Sequence, residues 1–144
     1  MIKASLTEKQ LIDFNNDGFL TVDNFIELQY LEDLKTRINL LFKGSFETGI
    51  EPDEWNWRQE RDPSDVTRQI CNAWKSDSLI KRLVCSSIIG ESVSKLMGWK
   101  GARLVQDNVL WKPPQGKALN FHQDAAYDDW ICLLYTSPSP RDVE

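Results

Sequence analysis

Residues 101–131 have the sequence GARLVQDNVLWKPPQGKALNFHQDAAYDDWI, and this stretch determines how the rest of the chain is interpreted. Leu104, Val105 and a second group of apolar residues at 109–111 predict a β-strand over residues 104–111. The PPQG sequence at 113–116 predicts a turn, because proline cannot donate a hydrogen bond to a central sheet ladder. A second strand is predicted over residues 118–124.

The only histidine of the chain, His122, is followed two residues later by Asp124. Alternate side chains of a strand project from the same face, so both would enter one space. They would supply two of the three ligands of a facial site that binds non-haem Fe(II). A surface histidine beside a solvated aspartate is the alternative. Polar residues in the preceding, otherwise apolar strand favour the metal site. If they are buried they need hydrogen-bond partners, which a polar cofactor would provide: Gln106, Asp107 and Asn108.

The length of 144 residues predicts a single domain. A net charge of −5 argues against a nucleic-acid partner, which normally requires a basic patch. The sequence contains no apolar run long enough for a membrane span and no secretory signal. Its cysteines lack paired spacing, which indicates reduced thiols in an intracellular compartment, cytoplasmic or peroxisomal: Cys71, Cys85 and Cys132.

Helical spacing dominates the sequence before residue 101. A short helix is predicted to begin at Thr7 as N-cap and to end at the Asn-Asp-Gly sequence of residues 16–18. An extended piece over residues 19–22 and a longer helix follow. The longer helix starts at Asp23 or Asn24, runs to about Phe42 and is stopped by Gly44.

A long ordered loop is predicted over residues 44–65. The apolar residues of this segment follow neither the helical nor the strand spacing, and it contains two tryptophans. Helices are then predicted over residues 66–74 and 77–97, with Gly98 at the end of the second. Helices that precede strands in this way indicate an α+β fold class.

Residues 13–18 match the first positions of an EF-hand calcium loop, with oxygen ligands at Asp13, Asn15 and Asp17 and a glycine at Gly18. The bidentate glutamate expected at position 12 of the loop is replaced by Asn24. A calcium-binding or interaction module is therefore an alternative function, and a helix-breaking turn is the other interpretation.

Residues 101–130 resemble the phytanoyl-CoA dioxygenase family of Fe(II)/2-oxoglutarate oxygenases. The matching segments are QDNVLWKPP, QGKALNF and HQDAAYDDW. Further upstream, TGIEPDEWNWR, TRQICNAWKSD and LMGWKGAR resemble the N-terminal region of the same subfamily, and NNDGFLTVDNFI resembles its usual start. The resemblance covers most of residues 6–131.

The resemblance implies N-terminal helices followed by the first strands of a double-stranded β-helix, or cupin-like jelly roll. It implies that His122 and Asp124 bind Fe(II) and that Asn108 contacts 2-oxoglutarate. The cosubstrates would be 2-oxoglutarate and O2, with ascorbate as an optional reductant. The partner would be a small-molecule substrate, and no oligomeric state is implied. The remaining candidates are Gln106 and Lys112 in the cofactor pocket, Gln123 and Tyr127 on the cofactor or substrate side, and Trp55, Trp57 and Arg58 on a lid.

The chain departs from the family pattern after residue 131. The family requires a second histidine downstream and an arginine that pairs with 2-oxoglutarate, whereas His122 is the only histidine here. Residues 132–142, CLLYTSPSPRD, resemble a translated transposase-type sequencing adapter; a natural Pro-rich tail is the alternative. We therefore expect residues 1–131 to be the N-terminal part of one oxygenase domain and 132–144 to be a non-native tail. The chain by itself is expected to be inactive.

Overall fold

The computed structural model describes residue 2 and residues 6–116. Four α-helices, a 3₁₀ helix and three strands occur in this part of the chain. The combination of helices with a small antiparallel sheet confirms the α+β class. The expectation that all helices precede all strands was wrong, because two strands lie between the second and third helices. The elements are α1 Glu8–Asp17, α2 Leu28–Phe42, β1 Glu54–Trp55, β2 Arg68–Cys71, the 3₁₀ helix Ala73–Lys75, α3 Ser78–Val84, α4 Ser87–Met97 and β3 Asn108–Trp111.

Helix α1 begins and ends at the predicted residues. Thr7 Oγ1 accepts a hydrogen bond from the Gln10 N–H at 3.3 Å, and Gln10 Oε1 accepts one from the Thr7 N–H at 2.9 Å. This reciprocal pair is a capping box. Gly18 closes the helix in the left-handed conformation, with φ of 77°, and its N–H donates to the Phe14 carbonyl.

Helix α2 begins later than its apolar spacing predicts. Its N-cap is Glu27 rather than Asp23 or Asn24. Asn24 adopts a positive φ of 54°, and Ile26 is held extended by a β-bridge to Ile2. Tertiary pairing thus keeps the preceding residues out of the helix. The predicted end at Phe42 is confirmed, with Gly44 at φ of 81° just beyond it.

The predicted helix over residues 66–74 was wrong, because the centre of this segment is the middle strand of the sheet. Strand order is β1-β2-β3 and both pairings are antiparallel. Ile70 lies opposite Trp55 on one side and Val109 on the other, and it is fully buried. A central position in a sheet favours a β-branched residue such as Ile70. The strand was not predicted because its two partner strands are distant in sequence, so the local spacing of apolar residues does not indicate the pairing.

The predicted helix over residues 77–97 is two helices. Asp77 caps α3, accepting hydrogen bonds from the N–H groups of Leu79 and Ile80. Ser86 is extended, with ψ of 130°, and this separates α3 from α4. Gly98 ends α4 as expected.

Strand β3 begins at Asn108 rather than Leu104, so the first half of the predicted strand is irregular. The turn at 113–116 is present, with the Gly116 N–H donating to the Pro113 carbonyl at 3.0 Å. Gln115 adopts a φ of 61° within it. The second predicted strand, over residues 118–124, lies outside the described residues.

The core lies between α2, α3 and one face of the sheet. We call this the core face; it is formed by Trp55, Arg68, Ile70, Val109 and Trp111. The opposite face, here called the outer face, carries Gln69, Cys71, Asn108 and Leu110, because side chains alternate along each strand. Leu110 is 61% exposed there. The buried cluster consists of Leu34, Leu41, Phe42, Trp57, Ile70, Ala73 and Ile80.

Within the described ranges, no helix is both long enough and apolar enough to cross a membrane.

Candidate functional site

The predicted iron ligands lie outside the described residues. His122 and Asp124 belong to the segment after residue 116, as do Gln123 and Tyr127. Among residues 2 and 6–116, no group of three or more His, Cys, Asp or Glu side chains is placed to hold a metal ion. The described part of the candidate site is therefore its predicted cosubstrate side, around Asn108.

Asn108 is the first residue of β3, and its exposed side chain lies on the outer face. Its Oδ1 accepts a hydrogen bond of 3.1 Å from Nε2 of Gln69 on β2. Gln69 pairs with Leu110 in the ladder, so the two amides are diagonal neighbours on the same face. The structure thus adds Gln69 to the site. Gln69 was not among the predicted site residues, because the sequence around it favours a helix.

Asp107 anchors the start of β3 from the side opposite to Asn108. Its carboxylate accepts hydrogen bonds from the N–H groups of Ala73 at 3.2 Å and Trp74 at 3.1 Å. Its backbone carbonyl accepts a third, of 2.8 Å, from the N–H of Asn72. Burial raises the pKa of Asp107 above its usual value, against the two N–H donors that lower it. Asp107 is thus a buried carboxylate directed at the 3₁₀ helix, away from the outer face.

Asn72 connects this anchor to the loop before β1. It adopts the left-handed conformation, with φ of 55°, and its Oδ1 accepts from the Asp107 N–H at 3.3 Å. Its Nδ2 donates to Asp53 at 2.7 Å, and Lys75 Nζ lies 2.7 Å from the same carboxylate. The hydrogen bonds from Lys75 and Asn72 hold the pKa of Asp53 below its usual range. These polar contacts fix the backbone on which Asn108 is carried.

Gln106 and Lys112, the other predicted pocket residues, flank this region. Gln106 is half-buried in the irregular segment before β3, and Lys112 is exposed directly after it. Both therefore lie close to Asn108 along the chain.

Trp57, predicted as a lid residue, is a core residue in this structure, 7% exposed. Its ring meets Phe42 edge to face with centroids 6.3 Å apart, and its Nε1 donates to the Pro63 carbonyl at 2.8 Å. Trp57 thus fastens the loop after β1 to the core.

The other two lid candidates contact each other. The guanidinium carbon of Arg58 lies 3.2 Å from the ring centroid of Trp55, in a cation–π contact. Trp55 also meets Phe46 edge to face at 5.1 Å and covers the backbone of Gly44. Trp55 is half-buried, so this pair lies at the edge of the core.

The residues of the calcium-loop alternative lie in a helix. Asp13, Asn15 and Asp17 all belong to α1, and Asp13 forms an ion pair of 2.6 Å with Lys9. Side chains two residues apart on a helix differ in direction by about 200°. They therefore do not converge on one ion as the ligands of an EF-hand loop do.

Two clefts of about 450 and 500 Å³ lie along α4, where it faces residues 98–104. Their linings contain none of the predicted site residues, so they do not extend the candidate site.

No known family model, curated protein or solved structure matches the chain. The functional assignment is therefore based on the sequence motif and on the geometry around Asn108.

Proposed function

We propose that this chain is the N-terminal part of an Fe(II)/2-oxoglutarate-dependent dioxygenase of the phytanoyl-CoA dioxygenase family, a hydroxylase of a small-molecule substrate. The single observation that carries the proposal is the His122-Gln123-Asp124 triplet, which follows β3 and its turn by a few residues. One imidazole and one carboxylate at this spacing are the ligand types that the facial Fe(II) site requires.

The described fold supports the proposal in its coarse features. The antiparallel sheet packs against α2 and α3 on its core face, and Leu110 is 61% exposed on the outer face. A jelly roll consists of two packed sheets, with about eight strands in all. We propose that the outer face is the surface on which the second sheet of a jelly roll packs.

The chemistry of Asn108 fits a contact to 2-oxoglutarate. A carboxamide is neutral and offers two N–H donors, whereas a carboxylate offers acceptors only. The neighbouring carboxylate of Asp107 is engaged by the 3₁₀ helix and so does not oppose an anion on the outer face. When bound, iron and 2-oxoglutarate supply oxidative decarboxylation coupled to substrate hydroxylation, and the protein orients the cosubstrate and excludes water.

The 144-residue chain supplies one histidine, so it can contribute at most two of the three protein ligands. We therefore propose that it binds Fe(II) weakly and does not turn over 2-oxoglutarate. Turnover of 2-oxoglutarate by the purified chain with Fe(II), above a metal-free control, would contradict this part of the proposal.

Anaerobic Fe(II) titration of the purified chain tests the metal assignment. We expect weak binding that is lost in both His122→Ala and Asp124→Ala and is kept in the matched control Asp13→Ala. A parallel calcium titration tests the alternative. Calcium binding that Asp13→Ala removes would support the interaction module, and Fe(II) binding indifferent to His122→Ala would reject the oxygenase assignment.

An independent genomic or transcript read across codon 131 tests the domain assignment. We expect it to diverge from the present sequence after that codon and to continue in frame to a histidine and an arginine. A read that reproduces CLLYTSPSPRD would show that residues 132–142 are native.

A further inference from the structure

We propose that Gln69 is a positioning residue that sets the orientation of the Asn108 amide, so that Asn108 presents its N–H groups to the cosubstrate. This inference is built on the proposed function, since it concerns how Asn108 would recognise a 2-oxo acid. It adds a residue from β2, a strand whose sequence predicted a helix.

The geometry joins the two side chains across the β2–β3 ladder. Gln69 lies opposite Leu110, and Asn108 lies opposite Cys71, so their side chains project from the same face at diagonal positions. Nε2 of Gln69 donates to Oδ1 of Asn108 at 3.1 Å. The hydrogen bond joins residues 39 positions apart in the sequence, and the sheet register brings them together.

The direction of this hydrogen bond determines what Asn108 can recognise. An amide has a donor end and an acceptor end, and a carboxylate can accept only. Because Gln69 occupies Oδ1, the Nδ2 end of Asn108 is the end that remains for a ligand. In the reverse orientation, Asn108 would present its oxygen and repel a carboxylate.

The backbone that carries Asn108 is fixed by hydrogen bonds of Asp107 and Asn72, whose side chains are not part of the outer face. Asp107 is fixed to the 3₁₀ helix through Ala73 and Trp74, and its backbone exchanges hydrogen bonds with Asn72. With the backbone fixed, the remaining freedom of Asn108 is in its side-chain torsions. Gln69 therefore acts on the amide orientation rather than on the position of β3.

Ligand-observed saturation-transfer NMR of the full 144-residue chain with 2-oxoglutarate tests the inference. The wild-type chain is expected to bind on the order of 10 mM, as a contact without metal assistance would. Asn108→Asp keeps the acceptor for Gln69 but removes the donors, and we expect about tenfold weaker binding. Gln69→Glu would accept from Nδ2 and reverse the amide, with a similar loss.

Two further variants separate orientation from charge. Gln69→Met leaves the amide free to adopt either orientation, so about half the molecules remain competent and binding weakens about twofold. Leu110→Glu places a new carboxylate on the same face, opposite Gln69 in the ladder, and solvent screening should limit its effect to about twofold. A Gln69→Glu loss no larger than that of Leu110→Glu would overturn the inference.

Side-chain amide hydrogen exchange in the wild-type chain gives a readout that does not depend on a ligand. We expect a Gln69 amide proton to be protected and the Asn108 amide protons to exchange freely. Protection of the Asn108 amide protons in place of those of Gln69 would overturn the inference, whether or not the chain binds 2-oxoglutarate. Wild-type protein with the expected amide protection but without 2-oxoglutarate binding would instead contradict the proposed function and leave the measured orientation in place.

Discussion

The guanidinium of Arg68 lies between the indole rings of Trp57 and Trp111, with its Cζ 3.7 Å and 4.1 Å from the two ring centroids. Arg68 pairs with Trp111 in the β2–β3 ladder, and Trp57 follows β1 on the other side. This row of three side chains ties the loop after β1 to both longer strands. Among the described residues, the buried Nε of Arg68 has no hydrogen-bond acceptor, and its Nη2 makes only a long hydrogen bond of 3.4 Å to the Ser64 carbonyl. Ring stacking is therefore the main interaction of the guanidinium.

We predict that Arg68→Met destabilises the chain by about 1–2 kcal/mol. Methionine retains an apolar contact between the rings but loses two cation–π interactions, each worth about 0.5–1 kcal/mol at a partly exposed site. Urea unfolding followed by tryptophan fluorescence measures the change. Arg103→Met, at an exposed arginine, is the control and should be nearly neutral. Equal effects of the two variants would show that the stacking is not stabilising.

Gly44→Ala is predicted to destabilise the chain more than Gly49→Ala does. Both glycines have a positive φ, 81° and 74°, so both substitutions carry the cost of about 1 kcal/mol for a left-handed alanine. A Cβ at residue 44 would also collide with the ring of Trp55, whereas one at residue 49 meets nothing within 4 Å. The difference between the two unfolding free energies isolates the collision, which we expect to add at least about 1 kcal/mol.

Asp77→Ala is predicted to cost about 3–5 kcal/mol. The side chain of Asp77 is fully buried, caps α3 and accepts a hydrogen bond of 2.6 Å from Nε of Arg37. Its removal uncaps the helix and leaves the guanidinium with only the more distant carboxylate of Glu47, at 3.6 Å. Asp33→Ala, at an exposed position on α2, is the control. A loss below about 1 kcal/mol in Asp77→Ala would mean that the pair is not a major stabilising contact.

The pH dependence of stability is predicted to change in Asp107→Asn. The folded-state pKa of Asp107 lies above the ordinary 3.8 because the carboxyl is buried. Its contribution to stability is therefore fully present below pH 3.8 and is lost as the pH rises through the folded-state pKa. Asparagine cannot titrate, so urea midpoints of Asp107→Asn should fall less than those of wild type as the pH rises through this interval. Parallel profiles would contradict the assignment.

Strand β3 is predicted to promote self-association of the isolated chain. Within the described residues it pairs on one side only, and Leu110 is 61% exposed beside it. An apolar edge strand invites pairing with a second chain. Sedimentation velocity should show association that grows with protein concentration and is reduced in Leu110→Lys. A wild-type chain that stays monomeric across the concentration series would refute this.

Features set by local chemistry were predictable from the sequence. Thr7 and Gly18 bound α1 as expected, Gly98 ends α4, and the PPQG turn forms, because caps and turns depend on a few adjacent residues. The strand β2 was not predictable, since Ile70 is extended by pairing with residues far away in sequence. The late start of α2 has the same origin, in the bridge between Ile2 and Ile26.

For the candidate site, the structure bears only on where the residues lie. The resemblance singles out Asn108, and its predicted place on a strand is confirmed. Gln69 could not be found, because its contact with Asn108 depends on the β2–β3 register. Trp57 was interpreted from its position in a long loop, whereas the structure gives it a place in the core through its contact with Phe42.

The carboxylate of Asp107 has a consequence for synthesis of the chain on the ribosome. Its hydrogen-bond donor on Ala73 precedes it by 34 residues, so the 3₁₀ helix emerges long before its acceptor does. Until residue 107 has left the exit tunnel, the N–H groups of Ala73 and Trp74 must remain hydrated and β2 must lack one neighbour. The sheet of the nascent chain therefore stays incomplete while α3 and α4 leave the tunnel, and a chaperone that recognises exposed strands would protect the chain most during this interval.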